Sequence, residues 1–191
     1  MKALTSIILV AALAAFTAVP AAGETKAPGF SAVDHNGKEH SLDQYRGKVV
    51  VLEWINPDCP FVQRHYREGT MKALDGRFED QGVVWLAVNS TNYHDASRNK
   101  EWAEKYSLPY PILVDKEGTI GRLYGAKTTP HMFVVNRNGE LVYSGAVDDD
   151  AGGNKDKRDV YVLSAIQAAL AGSLPARQET KPYGCSVKYA D

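Results

Sequence analysis

Cysteine is scarce in this chain. Its 191 residues contain two cysteines, Cys59 and Cys185. In an oxidising compartment, two thiols tend to pair or to be kept reduced for a purpose. A structural disulfide and a redox-active pair are both compatible with this count, and composition alone does not choose between them.

An excess of charge of one sign is also lacking. The chain has 22 Lys and Arg against 23 Asp and Glu, a formal net charge of −1. Because no basic patch dominates, nucleic acid is not expected as a partner. Beyond the N-terminal region, the sequence has no run long and apolar enough to span a membrane, and no internal repeat or low-complexity tract.

The N-terminal region has the layout of a secretory signal peptide. Lys2 precedes an apolar run from Ala3 to Val19, which is followed by the small residues of "VPAAGET". An uncleaved membrane anchor is the alternative, but the run is short for a full span. We therefore predict a signal peptide at residues 1–23 and a periplasmic or secreted protein. No stable membrane association is expected after its removal.

The remaining residues, 24–191, suffice for one domain with a sizeable core. Asn36-Gly37 and Asn138-Gly139 are hairpin signals, and Asp95 can cap a helix. Strand-like and helix-like runs alternate, which predicts an α/β fold with a mixed central sheet flanked by helices and a C-terminal extended tail, residues 173–191. The strand-like runs are "KVVVLEWI", "VVWLAVNS", "YPILVD", "HMFVVN" and "ELVYSG", and the helix-like runs are "PFVQRHYREGTMKAL", "DASRNKEWAEKYSL", "GTIGRLYG" and "DVYVLSAIQAALAG".

Cys59 lies between a buried strand and a helix. Pro60 suits the first position of that helix, where its missing N–H costs nothing. A helix N-terminus offers free N–H groups and partial positive charge, so it stabilises a thiolate and makes it nucleophilic. The alternative is a cysteine that acts only as a small buried apolar residue.

The segments "GKEHSLDQYRGKVVVLEWINPDCPF" and "KTTPHMFVVNRNGELVYSG" resemble the thioredoxin-fold redoxins, a likeness that spans about residues 28–171. The pair "NPDCPFVQRHY" and "GCSVKY" resembles, within that superfamily, the exported, peroxiredoxin-like branch of the thiol-specific antioxidant (AhpC-type) group. The resemblance to the redoxins implies a thioredoxin-like fold in which Pro130 follows a cis peptide bond and faces Cys59. Thr129 and Pro130 would then hold backbone beside the sulfur to receive a substrate chain.

Two departures from the family pattern bear on the chemistry. A thioredoxin has Cys-x-x-Cys, whereas here the second position is Val62. A peroxiredoxin carries Pro and Thr or Ser seven and three residues before its cysteine, whereas here these positions are Leu52 and Asn56. The Asn56 amide could partly replace the hydroxyl that orients a peroxide.

The tail cysteine is then the expected partner of Cys59. If "KPYGCSVKY" folds back over the site, Cys185 can resolve a sulfenate or mixed disulfide on Cys59. Glu53, desolvated within "VVVLEWI", has a position where thioredoxins keep a buried acid, and is expected to act as a general acid and base. The resemblance thus implies a thiol–disulfide oxidoreductase or peroxiredoxin-like antioxidant protein.

No cofactor and no metal ligand are predicted for this activity. The expected partners are a thiol or disulfide substrate protein, or a small peroxide, and an unidentified reductant. One alternative is a copper chaperone in which Cys59, Cys185 and His131 or His65 bind Cu(I). Another is a redox-inert domain with a structural Cys59–Cys185 disulfide, which would close a long loop.

Overall fold

The predicted central strand lies in the middle of the sheet in a computed structural model that describes residues 25–190. The predicted signal peptide, residues 1–23, lies outside the described residues, so its cleavage and the domain boundary at residue 24 remain predictions. No helix in the described part is long and apolar enough to cross a membrane.

Residues 25–190 form ten strands and five α-helices, and strands and helices alternate as predicted along the central part of the chain. The strands are β1 (Thr25–Lys26), β2 (Ser31–Val33), β3 (Glu39–Ser41), β4 (Val49–Trp54), β5 (Val83–Asn89), β6 (Ile112–Val114), β7 (Thr128–Thr129), β8 (His131–Val135), β9 (Glu140–Gly145) and β10 (Cys185–Ser186). The helices are α1 (Pro60–Arg67), α2 (Thr70–Phe78), α3 (Ala96–Tyr106), α4 (Thr119–Tyr124) and α5 (Tyr161–Leu170). Two short 3₁₀ helices cover Leu42–Tyr45 and Glu79–Gln81.

The main sheet is mixed, with the strand order β1-β9-β8-β4-β5-β6. β4 pairs with β5 in parallel and with β8 in antiparallel orientation. It therefore has a neighbouring strand on each edge, as expected for the predicted central strand. β8 and β9 form the hairpin predicted from Asn138-Gly139, and β2 and β3 form the one predicted from Asn36-Gly37. Side chains alternate along β4, so Val49 and Val51 join one core cluster, whereas Val50, Leu52 and Trp54 join a second.

One predicted helix is wrong in its extent. The run "PFVQRHYREGTMKAL" forms two helices, because α1 ends at Arg67 and α2 begins at Thr70. Gly69 between them has a φ of 71°, a left-handed conformation that glycine adopts without steric cost. The chain therefore turns here instead of continuing the helix. The N-cap expected at Asp95 is confirmed, since its side chain accepts a hydrogen bond from the Arg98 N–H.

The C-terminal tail is extended, as predicted, but it is not a free flexible segment. It returns across the molecule, and β10 pairs with β7 in antiparallel register. At β9, the Thr180 N–H donates to the Ser144 carbonyl and the Ser144 N–H donates to the Gln178 carbonyl, and the Thr180 hydroxyl bonds to the Tyr143 hydroxyl. Beyond β10, the carbonyl of Lys188 accepts from the Asn92 N–H. The tail is thus fixed on both sides of Cys185.

Candidate active site

Cys59 is the N-cap of α1, and a short turn after β4 brings it there. The Asn56 carbonyl accepts the Cys59 N–H at 2.9 Å, and Asn56 Oδ1 accepts the Asp58 N–H at 2.8 Å. Pro60 occupies the first helical position, as the sequence predicts. Asn56 is buried, and its amide oxygen is used to shape the turn that carries Cys59. Its predicted part in binding a substrate remains a prediction.

The bond between Thr129 and Pro130 is cis, as the resemblance implies, and this segment lies directly beside the sulfur. The Cys59 thiol donates a hydrogen bond to the Thr129 carbonyl, with 2.9 Å between sulfur and oxygen. The Thr129 side chain is buried, and its hydroxyl oxygen has no hydrogen-bond partner among residues 25–190. Cys59 from the first half of the fold therefore lies beside Thr129 and Pro130 from the second half, as predicted.

The tail places the second cysteine at the same point. In the β7–β10 ladder, Cys185 lies opposite Thr129 and Ser186 opposite Thr128. Gly184 approaches so closely that a Cβ atom there would lie 2.1 Å from the Thr129 carbonyl oxygen. Both cysteines are free thiols in this structure, and the Cys185 side chain lies close enough to the Cys59 sulfur to lower the pKa of Cys59. The two sulfurs are therefore neighbours without any rearrangement of the sheet.

The two thiols differ in burial and in acidity. Burial disfavours the Cys59 thiolate, but the neighbouring Cys185 side chain and the backbone N–H groups of Val62 and Cys185 outweigh it, so the pKa of Cys59 lies below its ordinary value. Burial and the neighbouring Cys59 sulfur raise the pKa of Cys185 to about 11. Cys59 is 1% exposed, whereas Cys185 is half-buried at the surface of the tail. Cys59 is thus the more acidic thiol and the less accessible one.

Glu53 lies on the sheet face that packs against α1, and it is completely buried. Its Oε2 accepts a hydrogen bond from Trp85 Nε1 at 2.9 Å, and the Tyr66 hydroxyl lies beside the same carboxyl. Burial raises the pKa of Glu53 to about 7, even though both neighbours lower it. Glu53 can therefore exchange a proton near neutral pH. Its contacts connect it to α1 through Tyr66, a buried residue of the core cluster beneath that helix.

The two histidines of the copper alternative do not join the cysteines. His131 pairs with Trp54 across β4 and β8, on the face opposite to Cys59, and its Nδ1 accepts the Lys127 N–H. His65 lies further along α1, where its Nε2 is 2.8 Å from the Tyr183 hydroxyl. Within residues 25–190, no group of three or more His, Cys, Asp or Glu side chains is arranged to hold a metal ion. The ligand set proposed from the sequence is not assembled in this structure.

Tyr183 belongs to the site, although no sequence pattern indicates it. The residue stands in the tail, two positions before Cys185, and contacts His65 across 118 positions of sequence. Its place in "KPYGCSVKY" marks it only as a neighbour of the tail cysteine. A contact between residues so far apart in sequence produces no periodic or local sequence signal that could have revealed it.

Residues 24–144 match the AhpC/TSA family. The matched region contains Cys59 and Pro130 and ends before the tail that carries Cys185. Among curated relatives, the thiol-disulfide oxidoreductase ResA of Geobacillus thermodenitrificans is 34% identical over 122 residues. That alignment covers 63% of this chain and 67% of the relative, so the chain spans about two thirds of the length of this protein.

Solved structures extend the likeness to the fold. A hypothetical protein from Sinorhizobium meliloti superposes with a TM-score of 0.77 and 26% identity, covering 87% of this chain and 94% of its own. The thioredoxin domain of a thiol-disulfide oxidoreductase from Bacteroides vulgatus superposes with a TM-score of 0.56 and 20% identity, covering 64% and 87%. The fold is therefore thioredoxin-like, as the sequence predicts.

Proposed function

The chain belongs to the AhpC/TSA family, and from this premise we propose that it is an exported thiol–disulfide oxidoreductase with Cys59 and Cys185 as its redox pair. The main observation behind this proposal is that both cysteines lie beside Thr129. The Cys59 thiol donates to the Thr129 carbonyl, and Cys185 lies opposite Thr129 in the β7–β10 ladder. The curated relative named as a thiol-disulfide oxidoreductase supports the same reaction class.

The reaction proceeds in two exchanges. The Cys59 thiolate attacks one sulfur of a substrate disulfide, forms a mixed disulfide and releases the other substrate sulfur as a thiolate. The Cys185 thiolate then attacks the Cys59 sulfur, releases the second substrate thiolate and leaves a Cys59–Cys185 disulfide. The substrate gains two electrons and the protein loses them. Two molecules of an external thiol return the protein to its reduced form: the first attacks the Cys59–Cys185 disulfide and forms a mixed disulfide, and the second releases the first as a disulfide.

The chemistry of the two sulfurs fits these roles. The low pKa of Cys59 favours its thiolate, which is the attacking and also the better leaving group. Cys185 is held beside the Cys59 sulfur that it must attack. It thereby takes the role of the second cysteine of a Cys-x-x-Cys motif. Thr129 and Pro130 supply backbone beside the reacting atoms, and Glu53 supplies a buried acid with a pKa of about 7.

Peroxide reduction has less support from the site. Leu52 is fully buried within β4, and the Asn56 amide oxygen is already bonded to the Asp58 N–H. Neither side chain presents a hydroxyl that could orient a peroxide. We therefore propose thiol or disulfide groups of a protein as the substrate class, with the specific substrate and the recycling reductant undefined. The exported location rests on the signal-peptide pattern of residues 1–23.

A turnover assay with matched cysteine variants tests this function. Wild-type protein is expected to reduce insulin disulfides with dithiothreitol as the electron source, whereas Cys59→Ser is inactive. Cys185→Ser is expected to accumulate a mixed disulfide between Cys59 and the substrate, visible by mass after acid quenching. Wild-type turnover in Cys59→Ser would refute the proposal. Turnover of hydrogen peroxide but not of insulin disulfides would show that the substrate class is wrong.

A further inference from the structure

We propose that Tyr183 is a positioning residue that holds Cys185 in register against Cys59, an inference that rests on the proposed function. Tyr183 lies two residues before Cys185, and its hydroxyl donates to Asp148 Oδ1 at 2.5 Å. Because Asp148 takes the single hydroxyl proton, the tyrosine oxygen is left as an acceptor. His65 Nε2 lies 2.8 Å from it and an Arg64 Nη2 atom lies 3.3 Å from it.

The groups around this hydroxyl are buried and partly charged. Asp148 is 1% exposed, and Arg158 lies 3.4 Å from its other oxygen. His65 is fully buried, and burial lowers its pKa to about 4, so the ring is neutral at pH 7. Burying a carboxylate and an imidazole is costly unless they are hydrogen-bonded. The Tyr183 hydroxyl is a hydrogen-bond partner of both the Asp148 carboxylate and the His65 ring. Release of the tail would therefore remove a hydrogen bond from each of them.

The location of this cluster links the two segments that carry the cysteines. His65 and Arg64 belong to α1, the helix that begins immediately after Cys59. Tyr183 belongs to the tail that carries Cys185, and its ring also stacks on His65 with 6.1 Å between the centroids. The cluster therefore ties the tail to the helix of the reactive cysteine, two residues away from the point where the sulfurs meet.

The contacts of Tyr183 control the register in which β10 pairs with β7. The β7–β10 ladder contains two residue pairs, so its own hydrogen bonds specify the alignment weakly. A slip of one residue would place Gly184 or Ser186 opposite Thr129 and turn the Cys185 side chain to the other side of the strand. Tyr183 anchors the strand on one side, and the Val187 N–H anchors it to the Lys127 carbonyl on the other.

The test separates the two exchange steps with oxidised glutathione as the probe. In the first step Cys59 forms a mixed disulfide with glutathione and releases one glutathione thiolate. In the second step Cys185 displaces the other and closes the protein disulfide. In Tyr183→Phe, the second step is expected to slow by about tenfold or more, because hydrogen bonds to charged groups are lost. The first step is not expected to slow, since a looser tail exposes Cys59.

Controls distinguish positioning from general stability. Tyr124→Phe removes another tyrosine hydroxyl, one that donates to the Pro28 carbonyl and forms no hydrogen bond with the tail, and should leave both rates unchanged. Asp148→Asn perturbs the cluster from its other side and should reproduce the slow second step. If Tyr183→Phe and Asp148→Asn both close the disulfide at the wild-type rate, the inference is wrong although the function stands. If wild-type protein never closes this disulfide, the proposed function itself fails.

Discussion

Gly184 is the residue whose replacement should disturb the site most selectively. A Cβ atom at this position would lie 2.1 Å from the Thr129 carbonyl oxygen, 2.7 Å from its carbon and 3.2 Å from the Pro130 nitrogen. These are backbone atoms of a buried segment, so they cannot rotate away as a side chain would. Gly184 also has a φ of 129°, which other residues rarely adopt. An alanine here therefore cannot be accommodated with β10 in place.

The free-energy cost can be bounded from these two effects. Overpacking costs about 1–3 kcal/mol and an unfavourable backbone conformation about 1–3 kcal/mol more. Even 2 kcal/mol would raise the population with a detached tail about 30-fold. Because the tail covers Cys59, alkylation of Cys59 in reduced Gly184→Ala should accelerate by about the same factor. The assay is iodoacetamide labelling followed by peptide mass analysis of each cysteine.

A matched glycine provides the control. Gly172 also has a positive φ, 71°, but a Cβ atom there would meet nothing within 4 Å. Gly172→Ala therefore carries the conformational cost without the collision, and Cys59 should stay as protected as in the wild type. If Cys59 in Gly184→Ala is labelled at the wild-type rate, the tail is not the cover of the site, and the reasoning from close approach is refuted.

Two further predictions concern proton and sulfur chemistry. Since the pKa of Glu53 is raised to about 7, its stabilising contribution is present below pH 4.5 and is lost as pH rises to about 7. Glu53→Gln, which can still accept from Trp85, should match the wild type in urea denaturation at pH 4.5 and exceed it by about 3 kcal/mol at pH 8; equal stability at both pH values would show that Glu53 is not buried as an acid. In the oxidised protein, a small thiol should attack Cys185, which is more exposed than Cys59 and leaves Cys59 as the lower-pKa thiolate. Acid quenching and peptide mapping should find the mixed disulfide on Cys185, and a majority on Cys59 would contradict this order of attack.

Local sequence patterns predicted most of the fold. The buried strand before Cys59, the proline at the start of α1 and the Asn138-Gly139 hairpin each depend on neighbouring residues, and each is confirmed. The extent of α1 was predicted wrongly, since Gly69 permits continuation of a helix as well as a left-handed turn. Packing of two helix segments decides between these conformations, and a single sequence does not show it.

The candidate site could be predicted only within the part of the chain that resembles the redoxin family, about residues 28–171. Cys59, Pro130 and Glu53 follow from motifs in the part that resembles redoxins. The path of the tail does not, because it depends on contacts such as that of Tyr183 with His65, which lie far apart in sequence. A proximity of Cys185 to Cys59 could be expected from chemistry, but the strand pairing that produces it could not.

A redox titration shows whether Cys59 and Cys185 form an exchanging pair. Full-length protein is equilibrated in glutathione buffers of graded potential, quenched in acid, alkylated and mapped by peptide mass. We predict that Cys59 and Cys185 lose their free thiols together in one reversible two-electron transition, with the two peptides joined by a disulfide. Two thiols that stay free across the range, or a bond that dithiothreitol cannot reduce in the folded protein, would contradict the claim that these cysteines form an exchanging pair.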